Sequence, residues 1–367
     1  MLFTASALAL GLFFVSGSAA SVPCTGNNGV AVPDACCVWL DVLDDIQQNL
    51  FDGGECNEDA HEALRLTFHD AIGYSPKLVR AGKFGCVAFI LDPSHGSIMQ
   101  WSDIELQDPA NDGMDEIIEA ERQIALRYNV SFGDFIQFAG AVGVGNCKGG
   151  PQLLFFSGRK NDSKPAPAGL IPQATDSVDT IINRVGDIGF SALQLVWMLI
   201  SHTVGTQNTV DPTIAGSPLD STPYDFDAQF FVETLLNGTI NPGGQDQVPT
   251  GGVLSPYPGE FRLASDFAVA RDPRTACEFQ HMLLDRQNML QKYKVVMNTL
   301  ALLGQGSNVA FMTNCTNIIP VPPAVNFQPF LPAGLSMGDV LPACTATPFP
   351  SLTAAPVSGP MTSIPLV

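Results

Sequence analysis

Basic residues are scarce in this 367-residue chain. It contains 17 lysines and arginines against 36 aspartates and glutamates, which gives a formal net charge of −19 and a pI near 4.4. A surface this acidic repels a phosphate backbone, so the composition argues against nucleic acid as a partner. It suits a protein that works in acid, where many of its carboxylates are partly protonated.

Long apolar runs are also few. One, at residues 2–20, ends in small residues and predicts a signal peptide over residues 1–20, cleaved near Ala20. No later run reaches the roughly 18 apolar residues that a membrane-spanning helix needs. We therefore expect a secreted, extracellular, soluble chain with no membrane partner, and we expect it to be a monomer.

Strand signals are weak, and the chain has no internal repeat. Apolar residues instead recur at helical spacing, which predicts a mainly α fold with little β structure. The predicted helices cover residues 36–50, 58–69, 114–128, 131–144, 177–185, 191–202, 226–236, 265–270, 274–303 and 308–313. Residues 243–259 are predicted to form a loop or short hairpin. The proline-rich stretch at 160–174 is the predicted boundary between two halves.

One predicted helix carries a polar stripe. Glu58, Glu62, Arg65 and His69 fall at about 0°, 40°, 340° and 20° around a helix axis, so they share one narrow face. For an isolated helix, a solvated polar face is the commoner explanation. The alternative is a site in which a fixed cation lies one turn from a titratable base.

Two further segments contain residue types that can bind a ligand or a metal ion. Residues 193–200 are apolar almost all round, which predicts a buried helix, and His202 follows it. A histidine in that position is more often a satisfied core residue than a ligand. Residues 220–227 read D-S-T-P-Y-D-F-D, and four oxygen-bearing side chains within eight residues suit a hard cation. The alternative for this segment is an acidic turn without a metal.

These segments together resemble a known family. R-L-T-F-H-D at residues 65–70, L-I-S-H-T-V at 199–204 with V-D-P-T at 210–213, the acidic loop and the cysteine spacing are similar to those of the secreted fungal haem peroxidases, the lignin, manganese and versatile peroxidase group. The resemblance runs from Cys24 to about residue 350. It implies a two-domain helical peroxidase fold with one haem b between the domains. The expected domains are a distal one at residues 21–165 and a proximal one at 166–350, followed by a proline-rich tail at 351–367.

The resemblance implies roles on both sides of the haem. On the proximal side His202 is the axial ligand of the iron, and Asp266 accepts a hydrogen bond from its other ring nitrogen. A helix N-terminal carboxylate is the alternative for Asp266.

On the distal side the resemblance implies that His69 acts as base and then acid towards H2O2, and that Arg65 stabilises the charge that develops. It also implies that Asn111 accepts a hydrogen bond from His69, that Glu105 holds Asn111, and that Phe68 packs near the haem.

Calcium is expected at two places. The resemblance puts a proximal ion on Thr203, Asp220, Thr222, Asp227 and, mainly through its carbonyl, Asp225. For the distal ion only Asp70 and Ser97 match.

The distal calcium motif departs from the family pattern. His95 stands where the family has an aspartate, and Asp92 is a candidate substitute. An insertion in this region brings Cys86, which has no counterpart. The lost ligand and the extra cysteine coincide, so we interpret residues 85–95 as a retained non-coding fragment or a gene-model error.

Nine cysteines in a secreted chain predict disulfides and one thiol left over. Spacing does not give the connectivity. The resemblance implies the pairs Cys24–Cys37, Cys36–Cys315, Cys56–Cys147 and Cys277–Cys344, with Cys86 unpaired. Asn129, Asn161 and Asn237 lie in sequons and predict a glycosylated surface.

Trp197, five residues before the expected axial ligand, bears on the substrate. The resemblance makes it the surface tryptophan whose radical oxidises bulky aromatic compounds, while a buried core tryptophan is the alternative. Of the acidic neighbours that lignin peroxidases have there, Glu278 is present, whereas Ser191 and Gln194 stand at positions open to carboxylates.

A manganese site would use three carboxylates, because Mn²⁺ prefers hard oxygen ligands. Glu58 and Glu62 match two of them, but the third position is Asn208. We therefore favour a lignin-type peroxidase acting on H2O2 and on lignin or other aromatic and phenolic compounds. A manganese-dependent or versatile peroxidase, with Mn²⁺ as substrate, and a low-potential phenol peroxidase are the alternatives. From another class, the alternative is a secreted calcium-stabilised binding protein that has lost haem or catalysis.

Overall fold

The computed structural model describes residues 24–26, 29, 31–81, 95–244, 247–356 and 363–367. The predicted signal peptide, Cys86 and Asp92 lie outside these ranges. Within them the fold is mainly α. The helices are α1 Val38–Asn49, α2 Glu58–Ile72, α3 Pro76–Arg80, α4 Ser97–Gln100, α5 Ser102–Glu105, α6 Asp115–Tyr128, α7 Phe132–Asn146, α8 Val178–Asp187, α9 Ala192–Met198, α10 Gln229–Glu233, α11 Ala264–Val269, α12 Ala276–His281 and α13 Arg286–Ala301.

Strands are short, and each is paired with one antiparallel partner in the described part of the chain. β1 (Phe156–Ser157) pairs with β6 (Thr313–Asn314), β2 (Thr206–Gln207) with β3 (Ser217–Pro218), and β4 (Gly252–Val253) with β5 (Arg262–Leu263). Residues 243–259, which were expected to form a loop or a short hairpin, contribute the strand β4, and its partner β5 lies just beyond them.

The helix α2 is fixed at its start and along its length. The Asn57 side chain accepts the N–H of Ala60 at 3.0 Å and so caps the helix, and acidic residues occupy its first turn. Along α7, a Cβ atom at Gly140 would lie 2.2 Å from Cγ2 of Thr67, so glycine permits the two helices to approach closely. The polar stripe of α2 is thereby held facing away from α7.

The segment that carries His202 is not one continuous α-helix. Ser191 and Gln194 form a capping box at the start of α9, but α-helical geometry ends at Met198. A 3₁₀ segment, Leu199–Val204, follows and contains the histidine. The predicted helix over residues 191–202 is therefore wrong in its last turn.

The helix expected over residues 308–313 is a 3₁₀ segment, Gly306–Phe311, and two longer predicted helices also need correction. The single helix expected over residues 274–303 is divided into α12 and α13, because the Asp285 side chain accepts the N–H of Asn288 and begins a new helix. The helix expected over 226–236 is reduced to α10, and Asp227 accepts the N–H of Gln229 just before it. In both places an aspartate competes for the backbone.

Four disulfides tie these elements together. They join the pairs that the resemblance implies, Cys24–Cys37, Cys36–Cys315, Cys56–Cys147 and Cys277–Cys344. The second bridges a sequence separation of 279 residues, so it links the two ends of the helical body.

Among the described residues, no single helix is both long and apolar enough to cross a membrane. One bent pair, Val178–Asp187 with Ala192–Val204, meets the length and composition only when its two halves are combined.

Candidate active site

A cavity of about 470 Å³ lies between α2 on one side and the His202 segment with α8 and α11 on the other. Its volume falls within the roughly 300–1,000 Å³ of small-molecule and cofactor pockets. Its polar lining includes Arg65 and His69 from α2, and His202 and Asp266 from the His202 segment and α11. Apolar side chains line much of the rest, including Leu64, Phe68, Leu195, Met198, Val269 and Met297.

The distal histidine has its tautomer fixed by a chain of hydrogen bonds. The Asn111 amide donates to the carbonyl of Glu105 at 2.9 Å, so its oxygen Oδ1 faces Nδ1 of His69 at 2.8 Å. Because Oδ1 can only accept, Nδ1 carries the proton and Nε2 keeps its lone pair. Burial, together with the charge of Arg65, lowers the pKa of His69 to about 3, even though the bond to Asn111 acts to raise it. His69 is therefore a neutral base in acid.

Glu105 holds Asn111 through its main chain, not through its carboxyl group. The carboxyl oxygen Oε1 accepts the N–H of Ala166 at 3.0 Å. Burial raises the pKa of Glu105 to about 8, so this carboxyl group is protonated in acid. The resemblance identifies Glu105 as the partner of Asn111, but it does not show whether the main-chain carbonyl or the carboxyl group makes the hydrogen bond.

Arg65 lies beside the base. Its Nε donates to Nε2 of His69 at 3.1 Å, and its terminal nitrogen lies 3.4 Å from the carbonyl oxygens of Ala110 and Asp112. Burial lowers the pKa of this guanidinium, but arginine starts so high that it stays charged. Arg65 therefore covers the Nε2 lone pair in this structure, and peroxide has to displace this hydrogen bond to reach it. The ring of Phe68 stands edge-on to His69, with 6.1 Å between the ring centroids.

The proximal histidine is oriented by a carboxylate. Nδ1 of His202 lies 2.9 Å from Oδ2 of Asp266, which is itself 2 % exposed. Burial alone would lower the pKa of His202, but the charge and hydrogen bond of Asp266 outweigh it and raise the pKa. Since Nδ1 donates to Asp266, Nε2 is the nitrogen left for a ligand in the cavity.

The residues on these walls fit a haem group. A carboxylate-oriented imidazole, an apolar slot and a facing Arg–His pair are the donor set that an axially ligated, peroxide-reactive haem requires. The structure thus brings together His202, Asp266, Arg65, His69 and Phe68 around one cavity.

The acidic loop gathers oxygen atoms around Thr203. The Thr203 hydroxyl lies 2.9 Å from Asp220 and 3.1 Å from Asp227, and the Thr222 hydroxyl lies 3.3 Å and 3.1 Å from the same two carboxylates. Burial and mutual repulsion raise the pKa of Asp220 well above its usual value, and burial raises that of Asp227 to about 6. Two buried carboxylates that resist ionisation are what a bound cation would satisfy, so this donor set fits calcium.

Asp225 takes a different position from the other members of the loop. Its carboxylate lies 3.7 Å from the Lys148 ammonium group, so the side chain is engaged by a cation of the protein. This is consistent with the expectation that it serves a calcium ion through its carbonyl.

At the expected distal calcium site, the structure brings two of the named residues together. Asp70 accepts the N–H groups of Gly96 at 2.8 Å and Ile98 at 3.3 Å, and Ser97 between them is fully buried. His95 contacts the Leu303 carbonyl through its ring. The neighbouring insertion falls outside the described residues.

Trp197 is half-buried at the protein surface and does not line the cavity. Its Nε1 donates to Oε1 of Glu278 at 2.6 Å, and the Lys292 ammonium group lies 2.6 Å from the same oxygen and 5.7 Å from the indole ring centroid. Sequence reasoning missed Lys292, because only the packing of α13 on α9 places it here. Ser191 and Gln194 bond to each other at the start of α9.

The amide of Asn208 is directed in an unexpected way. Its oxygen accepts the N–H of Gly216 at 2.8 Å, so its nitrogen faces Glu58 at 3.1 Å and Glu62 at 3.5 Å. Burial and the neighbouring Glu58 raise the pKa of Glu62 to about 7. The Asn208 side chain thus presents N–H groups to the two glutamates, whereas a ligand of Mn²⁺ at this position would have to present an oxygen atom.

His61 is a cavity residue that sequence reasoning did not single out. It is 6 % exposed, and its Nε2 lies 3.2 Å from Sγ of Cys56. Cys56 and Cys147 are joined in a disulfide, so neither sulfur is a thiolate and the cluster is not a metal site. The signal available in the sequence was its position one turn before Arg65.

Comparison with known proteins gives consistent matches. A family profile described as Peroxidase matches residues 42–285, and one described as Fungal peroxidase extension region matches residues 288–367. The chain is 48% identical over 336 residues to Versatile peroxidase VPS1 of Pleurotus eryngii, covering 91% of this chain and 88% of that protein. It is 47% identical over 371 residues to Ligninase B of Phanerodontia chrysosporium, covering 99% and 96%. It is 44% identical over 351 residues to a peroxidase of Arthromyces ramosus, covering 95% and 92%.

Proposed function

Because this chain belongs to the peroxidase family that carries the fungal peroxidase extension region, it is a hydrogen-peroxide-dependent oxidoreductase, and we propose that it oxidises lignin-type aromatic compounds in one-electron steps. The family implies a haem group, whose iron supplies the redox chemistry when bound. The residues of the chain supply acid–base chemistry, charge and orientation.

His69 and Arg65 act on the peroxide. Nε2 of His69 accepts a proton from one peroxide oxygen and delivers it to the oxygen that leaves as water. The guanidinium of Arg65, whose Nε is 3.1 Å from that nitrogen, stabilises negative charge as the O–O bond breaks. Asn111 keeps His69 in the required tautomer.

On the other wall His202 is the residue that would hold the iron, through Nε2. Asp266 orients the ring and gives the imidazole more anionic character, which favours high oxidation states of a bound iron. Thr203, next in the chain, would link this ligand to a calcium ion in the acidic loop.

Trp197 carries the proposal for large aromatic donors. Its half-exposed indole lies outside the cavity, on the segment that enters the His202 turn five residues later, and its N–H is hydrogen-bonded to Glu278. An electron can therefore pass from a donor at the surface through Trp197 to the active site. The sequence relatives described as ligninases favour this assignment.

A manganese-dependent or versatile activity is the second candidate, because Glu62 lines the cavity and both Glu58 and Glu62 lie beside the Asn208 amide. The amide hydrogens of Asn208 disfavour it, since a cation would have to displace them.

Oxidation of veratryl alcohol tests the proposal. The holoenzyme should oxidise it with H2O2 at acidic pH without Mn²⁺, and Trp197→Ser should abolish that activity while leaving oxidation of small phenols. Trp101→Phe is the matched control, because Trp101 is also half-buried but donates to the Ser163 carbonyl in the distal half. Wild-type protein that oxidises only small phenols or Mn²⁺ would show that Trp197 is a packing residue.

We also propose secretion, glycosylation at exposed Asn129, Asn161 and Asn237, and a domain boundary near residue 165. The disulfides support an oxidising compartment. Recovery of the glycosylated chain from culture medium, with a new N-terminus near residue 21, tests secretion and glycosylation.

Limited proteolysis near residue 165 tests the domain boundary. A cDNA that encodes residues 85–95 as printed would rule out the gene-model error.

A further inference from the structure

Tyr224 is the most exposed oxidisable aromatic ring in the described structure. The chain has five tyrosines and three tryptophans, all of them within the described ranges. Tyr224 is 48 % exposed, whereas Tyr293 and Trp39 are buried and the others are half-buried. A phenol at the surface is accessible to donors that are too large for the cavity.

The position of Tyr224 is fixed by its neighbours. It lies in the acidic loop, where the Asp225 N–H bonds to the Thr222 carbonyl at 2.9 Å and the Phe226 N–H to the Lys148 carbonyl at 2.8 Å. Pro223, just before it, is buried. The ring therefore projects from an ordered turn.

One packed ring separates Tyr224 from the cavity. The centroids of Tyr224 and His61 are 6.4 Å apart with their planes inclined by 36°, and His61 lines the cavity wall one turn before Arg65. Electron transfer weakens steeply with distance, so this short contact favours the route.

We propose that Tyr224 is a second surface site of substrate oxidation, which takes phenolic aromatic donors too large for the cavity and is coupled to it across His61. This inference requires the peroxidase activity but not the Trp197 route. The peroxide-oxidised active site takes one electron from the Tyr224 side chain, and the phenol proton passes to solvent. The resulting phenoxyl radical takes a hydrogen atom from the O–H of the donor, which restores Tyr224 and leaves the donor as a phenoxyl radical.

The chemistry sets the substrate class. Hydrogen-atom transfer between two phenols is nearly balanced in energy, so Tyr224 suits phenolic donors. A methoxybenzene without a free hydroxyl, such as veratryl alcohol, has no such hydrogen atom to give and depends on Trp197. The two surface sites are therefore distinguished by donor.

Radical trapping tests the inference directly. Holoenzyme is treated with one equivalent of H2O2 and a nitroso spin trap, and its peptides are mapped by mass spectrometry. We expect an adduct on the peptide containing Tyr224 that is lost in Tyr224→Phe and retained in Tyr128→Phe. Tyr128 is a suitable control because it is half-buried at the end of α6 and does not line the cavity. Absence of an adduct at Tyr224 in the wild type would overturn the inference.

Steady-state kinetics supply a second readout. Tyr224→Phe should lower kcat/KM for a soluble polymeric phenol by about tenfold, with guaiacol and veratryl alcohol unchanged. Equal losses on all three donors would contradict the inference, because they would show that the substitution disturbs the acidic loop. A Trp197→Ser enzyme that loses veratryl alcohol but keeps the polymeric phenol would separate the two routes.

Discussion

Oδ1 of Asn111 lies 2.8 Å from Nδ1 of His69, and this contact decides which nitrogen of the distal histidine faces the cavity. The Asn111 amide is itself held by the Glu105 carbonyl, so it cannot turn to offer a donor. The lone pair on Nε2 is therefore a consequence of hydrogen bonds on the far side of the ring.

Asn111→Ala should slow the reaction with H2O2. Without the acceptor the ring can change tautomer and rotate, so the second-order rate constant should fall by about 10- to 100-fold, less than the 10²- to 10⁴-fold expected for loss of the base itself. Stopped-flow mixing of holoenzyme with H2O2 measures it, with His69→Leu as the lower limit. A rate equal to that of the wild type would show that packing alone orients His69.

The same reaction should be insensitive to pH over the acidic range. Burial and Arg65 lower the pKa of His69 to about 3, so its lone pair is available above that value and is lost as the pH falls through it. The rate constant should stay level from pH 7 to pH 4 and decline near pH 3. A midpoint near the ordinary histidine pKa of about 6.5 would contradict the assignment of a buried neutral base.

Asn208→Asp should strengthen use of Mn²⁺. The change replaces amide hydrogens with a carboxylate oxygen facing Glu58 and Glu62, while the other oxygen can still accept from Gly216. Two opposite unit charges about 4 Å apart attract each other by roughly 1 kcal/mol even in water. The added carboxylate should therefore lower KM for Mn²⁺ at least about fivefold.

Gln207→Glu is the control for Asn208→Asp, because it adds a charge at the adjacent residue, whose amide bonds to the Asp211 and Ile214 carbonyls. An unchanged KM in Asn208→Asp would show that the three side chains do not form a manganese site.

Removal of calcium should destabilise the protein, and more at neutral than at acidic pH. In the cation-free protein the pKa of Asp227 is raised from 3.8 to about 6, so the stability gained from its protonation is full below pH 4 and lost as the pH rises through 6. A site saturated at a hundred times Kd adds about 2.7 kcal/mol, or roughly 3–4 °C in Tm for a chain of this length.

Calorimetry with and without a chelator measures this effect at pH 4.5 and pH 7. In Asp227→Asn the chelator should change Tm little at either pH, because both the ligand and its titration are lost. A wild-type Tm that does not respond to the chelator would exclude calcium from the acidic loop.

Local sequence signals predicted most of the helices but not their interruptions. The stripe on α2 could be predicted because it has the period of a helix, and α9 because residues 193–200 are apolar almost all round. The division between α12 and α13 depends on Asp285 as an N-cap, a signal that is present in the sequence but was outweighed by the apolar pattern around it. The 3₁₀ turn at His202 has no comparable signal.

The candidate site likewise contains residues that the sequence could predict and contacts that it could not. Motif resemblance named His69, Arg65 and His202, and the structure places them around one cavity. The orientation of Asn208 depends on an N–H eight residues away, and the cation beside Trp197 comes from a different helix. Such relationships follow from tertiary packing, which a linear pattern does not encode.

The most direct test of the central claim is the visible absorption spectrum of the purified chain before and after one equivalent of H2O2. We predict a Soret band from one haem per chain that shifts within milliseconds of mixing, is restored by an aromatic donor, and is weakened or lost in His202→Ala. A chain that binds no haem, or whose Soret band does not respond to H2O2, would contradict it and favour a binding protein on a peroxidase scaffold.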